Sequence, residues 1–111
     1  MPRVYIIGAT IGFPMLNLNQ FQKAAEKIGK MGYSNVVPHY LFHDEENNRG
    51  GLSFSESLKR RQEALEECEY AVLLPGFAED RYASCEAITA KNLSIPRIRF
   101  DEIKQKLPCL K

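Results

Sequence analysis

The sequence predicts a small α/β protein in three layers, with a parallel sheet of about four to five strands covered by helices on both faces. Three observations carry that expectation. Short β-branched apolar runs alternate with stretches whose apolar residues step by three and four. Their order is strand, helix, strand, helix, strand, helix, strand, and strands separated by helices pair in parallel. Turn residues close the runs: Gly8 after the first, Pro38 after the second, Pro75 and Gly76 after the third.

Residues 3–10, RVYIIGAT, open as a central strand followed by a tight turn, which Gly12 and Pro14 prolong. Asn17 or Asn19 then caps a helix with Leu18, Phe21, Ala25 and Ile28 on one face, ending near Met31 with Gly32 as its stop. Residues 35–38, NVVP, make a second strand. The stretch 39–51, HYLFHDEENNRGG, is polar and turn-rich and reads as a long loop, serving as a lid or an oligomer contact. Ser53 or Ser55 with Glu56 starts a helix, in which Ser53 and Glu56 stand at capping-box spacing and Leu58, Ala64, Leu65 and Cys68 supply the inward face. Residues 70–74 form a fully buried strand, and a helix from about Arg81 to Asn92 follows. Residues 95–99, IPRIR, are the last strand, and 100–107 add a helical turn or two.

A chain of 111 residues suits a single domain, 1–111, with a core that needs no disulfides. Its net charge of +1 argues against duplex nucleic acid and anionic membranes as partners. Three cysteines, Cys68, Cys85 and Cys109, without a CxxC pair fit reduced thiols in a cytoplasm. His39 and His43 share no cluster with a cysteine, so no metal is expected, and no cofactor either. No run is long enough to be a signal peptide or to span a bilayer.

Chemistry is expected in residues 74–87, LPGFAEDRYASCEA, because ligands of open α/β sheets bind at loops beyond the carboxyl ends of the strands. Ala83, Ala87, Ala90 and Leu93 form the stripe that packs on the sheet. Glu86 falls inside that stripe, and a carboxylate aimed at a core is costly unless it is paired, hydrogen-bonded or used. Glu86 and Asp80 are therefore the candidate catalytic residues. The structural alternatives are a glutamate held by the helix dipole and an arginine, and an aspartate that only caps the helix. In KRR, Arg60 and Arg61 read as a solvated helix face from which one side chain can reach a phosphate across the crevice. Cys85 has no histidine placed to activate it and reads as structural.

The stretch YIIGATIGFP with Asn17 and Phe21, then CEYAVLLPGF, then Ala83 and Glu86, resembles the DUF4406 group, placed within the nucleoside 2-deoxyribosyltransferase-like superfamily. The resemblance covers nearly the whole chain in order and spacing, apart from the loop at residues 39–52. It implies a Rossmann-like, flavodoxin-like fold and an enzyme that cleaves or transfers the N-glycosidic bond of a nucleoside. Glu86 matches the nucleophile, Asp80 an aspartate that contacts the base and transfers protons, and Tyr5 a tyrosine that positions the nucleophile. Glu69 stands where the family carries a substrate-holding aspartate, and Gly8-Ala9 where it carries Gly-Pro. Gly76 and Phe77, in the loop after the third strand, complete the substrate-binding set. Tyr82 replaces a small glycine, and Ser84 lies near the position of a phosphate-binding serine in related nucleoside 5'-monophosphate hydrolases. The resemblance also implies a homodimer or larger homo-oligomer, in which a neighbouring copy completes the pocket. Hydrolysis of a nucleoside 5'-monophosphate and a non-catalytic nucleotide-sensing module are the alternatives.

Overall fold

The computed structural model describes residues 3–10, 17–37 and 54–103. Its elements are β1 (Arg3–Ile7), α1 (Leu18–Lys30), β2 (Ser34–Val36), α2 (Phe54–Glu66), β3 (Tyr70–Leu73), α3 (Arg81–Asn92) and β4 (Arg97–Arg99), with 3₁₀ turns at Phe77–Glu79 and Phe100–Glu102. All described strands are parallel, in the order β2-β1-β3-β4. This is the Rossmann-like three-layer arrangement expected of the sequence. The stretch 39–51 expected to be a long loop, with His39 and His43, lies outside the described residues, as do Gly12, Pro14, Pro38, Ser53 and Cys109.

Strand alternation builds the layers. Val4, Ile6, Val72, Leu74 and Ile98 pack with Phe21, Ala24 and Ile28 of α1. Tyr5, Ile7, Ala71 and Leu73 face the other way, against Leu65, Ala83, Ala87 and Ala90 of α2 and α3. Burial on both faces explains why β1 and β3 read as continuous apolar runs rather than as alternating ones. Among the described residues no helix is long and apolar enough to cross a membrane.

Local differences from the sequence reading have physical causes. On α1, Ala24 is fully buried and Ala25 only partly. Asn17 holds the N-cap position of α1 in a left-handed conformation and makes no capping bond. Its side-chain amide instead donates to the Ala9 carbonyl at 2.9 Å, tying the start of α1 to the turn after β1. Leu93 leaves the buried stripe of α3 and is 40% exposed, because the chain turns there through Ser94 at φ 59°. β4 begins at Arg97, two residues later than expected; Pro96 lacks an N–H, and only its carbonyl joins the sheet by accepting from Ala71 at 2.9 Å.

β1 and β3 are adjacent, with Ile6 opposite Val72, and their carboxyl ends mark where the sheet order reverses. The turn after β1 must pass close to Leu74. A Cβ on Gly8 would lie 2.7 Å from Leu74 Cδ1, 3.0 Å from Phe21 Cζ and 3.1 Å from Leu74 Cβ. Because Leu74 and Phe21 are themselves buried, Gly8→Ala is expected to cost about 1–3 kcal/mol by overpacking. Urea denaturation of the variant checks this, and an unchanged midpoint would show that the turn has room to relax.

Candidate active site

Glu86 sits between Ala83, Ala87 and Ala90 on the inner face of α3, and only 2% of it is exposed. Two donors meet its carboxylate. The Tyr5 hydroxyl, from the middle of β1, donates to Oε2. Arg61 of α2 donates from Nη1 to Oε1 at 3.2 Å and forms a buried ion pair with it. Each partner is oriented by its own element. Tyr5 points to the α2 and α3 side because β1 alternates, and its hydroxyl needs a partner there. Arg61 lies at helical spacing between Leu58 and Leu65, and its guanidinium stacks 4.4 Å from the centre of the Tyr82 ring.

Burial pushes the Glu86 carboxyl up from the usual 4.5 to about 7. The Arg61 cation and the bonds from Tyr5 and Arg61 act in the opposite direction, and nearby Asp80 adds to the rise. Tyr5 is raised well above its ordinary value, first by burial and then by the Glu86 charge, so it remains a neutral donor. Near neutrality Glu86 therefore exists in both protonation states.

The rise has a consequence for stability. A carboxyl that holds its proton more tightly when folded stabilises the chain at low pH, and that contribution is lost as pH rises from about 4.5 to about 7. The expected loss is roughly 3 kcal/mol, at 1.36 kcal/mol per pKa unit. Urea titrations across that window should show the decline in the wild type and a flatter profile in Glu86→Gln. An equal decline in the variant would assign it to other groups.

Asp80 is also buried, and at least four donors surround it. Oδ1 accepts from the backbone N–H groups of Tyr82 and Ala83 at 2.8 and 3.0 Å, capping α3. Oδ2 accepts from the N–H and hydroxyl of Thr10 at 2.8 and 3.2 Å. One carboxylate thus fastens the turn after β1 to the start of α3, across the point where the sheet order reverses.

The model of a domain of unknown function, DUF4406, matches residues 2–98. The chain belongs to the DUF4406 family. A comparison with curated proteins finds no match. The matched span contains β1 and all five of Tyr5, Thr10, Arg61, Asp80 and Glu86.

In this DUF4406 chain most of the residues singled out from the sequence gather near the carboxyl ends of β1 and β3. Gly8 and Ala9 form the turn after β1, and both are buried. Gly76 precedes the Phe77–Glu79 turn at φ 83°, and Phe77 is half-buried against the cluster that contains Tyr5 and Ala83. Ser84 turns its hydroxyl onto the Ala78 carbonyl at 3.1 Å. Glu69 lies elsewhere. It precedes β3 at the amino end of the sheet, where its carboxylate accepts from the Arg3 N–H while Glu67 pairs with the Arg3 side chain. A full strand separates it from the crevice loops.

Thr10 is the member of the site that the sequence does not single out, and Arg61, expected on a solvated helix face, is instead buried against Glu86. The spacing of Arg61 from Leu58 and Leu65 was its available signal, whereas Thr10 had none beyond its place after a turn glycine. Among the described residues no three of His, Cys, Asp or Glu come together as metal ligands. Burial pushes the Cys68 thiol up to about 12, so it stays protonated and weakly reactive; Cys85 is half-buried. The centre of the site is therefore a carboxylate with two oriented oxygens, suited to nucleophilic attack or to accepting a proton. Each oxygen accepts one of these bonds and keeps a further lone pair.

Proposed function

We propose that this DUF4406 protein breaks the N-glycosidic bond of a nucleoside or nucleotide, with Glu86 as the nucleophile. The observation that carries the reading is the buried Glu86 carboxylate, held by Tyr5 of β1 and Arg61 of α2. One Glu86 oxygen forms a bond to the anomeric carbon as the carbon–nitrogen bond breaks. The bonding pair leaves with the base nitrogen, which takes up one proton. A second base, or water, then attacks the anomeric carbon and frees Glu86, giving transfer or hydrolysis. Tyr5 positions the nucleophile.

Asp80 matches a base-contacting, proton-transferring residue in the resemblance, but its four bonds to backbone and hydroxyl donors support an orienting role. Water in the crevice then supplies the proton to the departing base. The proposal includes a homo-oligomer acting in the cytoplasm, whose neighbouring copy closes the crevice; Ile88, 59% exposed on α3, is an apolar surface available to it.

The test is release of free base from a panel of nucleosides and their 5'-monophosphates, with and without a second base, by wild type and Glu86→Gln. Release confined to the wild type supports the reaction, and its dependence on the second base separates transfer from hydrolysis. One observation favours a second reading, a non-catalytic nucleotide-binding module: Glu86 and Asp80 are both satisfied within the chain, as structural carboxylates are. That reading expects nucleotide binding without release, unchanged in Glu86→Gln.

A further inference from the structure

Beyond the carboxyl ends of β3 and β4 lies a groove of about 480 Å³, lined among the described residues by Leu73, Phe77, Arg97, Arg99 and Glu102. Its charge follows from the pattern of the last strand. In RIR the central Ile98 is buried on the α1 side, so Arg97 and Arg99 share the opposite face, in register with Ala71 and Leu73. Two residues apart on a strand, their Cα atoms are about 7 Å from each other. Both side chains are exposed, and among the described residues neither guanidinium has an ion-pair partner. Like charges so placed repel each other, and an anion bridging them removes that repulsion.

The remaining lining narrows the ligand. Glu102 leaves the groove with one net positive charge and offers an acceptor that a bare anion does not use. Phe77 and Leu73 supply an apolar wall. We propose that this groove binds a phosphate monoester carried on a small hydroxylated molecule, such as a sugar phosphate. The phosphate oxygens accept from Arg97 and Arg99, whose planar forks match oxyanion geometry. A hydroxyl donates to Glu102, and the carbon skeleton lies against Phe77. Leu73 belongs to the cluster containing Tyr5 and Ala83 and Phe77 packs against it, so the groove adjoins the Glu86 site through both residues. The proposal stands on the groove's own residues and does not depend on glycosidic chemistry at Glu86.

Calorimetric titration of the full chain with inorganic phosphate, ribose 5-phosphate and ribose tests it. The expected result is saturable binding of both phosphates, tighter for ribose 5-phosphate, and weakened by added salt. Affinity for ribose 5-phosphate should fall about tenfold or more in Arg97→Gln/Arg99→Gln and fall less in Arg97→Lys/Arg99→Lys. Both arginines are exposed, and an unchanged thermal melt verifies that the variants fold. Absence of saturable phosphate binding, equal affinity for ribose and ribose 5-phosphate, or full affinity in the glutamine double variant would overturn the assignment.

Discussion

Arg61→Met is expected to lower stability by roughly 3 kcal/mol at pH 8 and by only roughly 1 kcal/mol at pH 5. At pH 8 the Glu86 carboxyl, raised to about 7, is mostly ionised, and the substitution strands it in a site that is almost wholly buried. Breaking one side of a buried pair is costly because the remaining charge keeps its full desolvation penalty. At pH 5 the same carboxyl already carries a proton, so the lost guanidinium removes little more than one hydrogen bond and its stacking on Tyr82. For a chain of about this size the pH 8 loss corresponds to a fall in Tm of about 12–24 °C. Adding Glu86→Gln to the variant should restore most of it at pH 8, since no charge then remains unpaired. Thermal melts of the two single variants and the double variant at both pH values check this. A loss independent of pH would mean that Arg61 acts through packing alone.

Glu86→Gln is expected to reduce base release on the order of 10³-fold or more, because the amide cannot form the glycosyl intermediate. The variant should fold. Below about pH 7 the wild-type carboxyl is itself largely neutral, so the amide is close to it in shape and charge. Turnover by the wild type should rise with pH through about 7 as the nucleophile loses its proton, while folding stability falls over the lower part of that range. Opposite slopes for activity and stability follow from one titrating group. Arg61→Met should move the activity limb to higher pH, since the cation that favours the carboxylate has gone. Release that survives in Glu86→Gln would remove Glu86 from the chemistry.

Much of this was legible in the sequence because local periodicity recorded it. The alanine stripe and the Asp80 cap define α3 at Arg81–Asn92, the span the sequence indicated. Glu86 stood out for the same reason, being the one carboxylate inside an apolar stripe. Arg61 was hidden by its neighbours: the run Lys59, Arg60, Arg61 reads as solvated, yet only its last member is buried. The bond between Thr10 and Asp80 joins residues seventy apart and leaves no local trace. Glu69 shows the converse limit. Alignment by order put it with the substrate contacts, whereas parallel pairing sets the residue before β3 at the amino end of the sheet, beside Arg3.

Intact-mass and peptide analysis of the protein, quenched in acid during incubation with the nucleoside that the release panel selects, tests the central claim most directly. The account expects one added sugar residue on the peptide containing Glu86 in the wild type, and none in Glu86→Gln. Base release without any adduct, or an adduct on another residue, would contradict it.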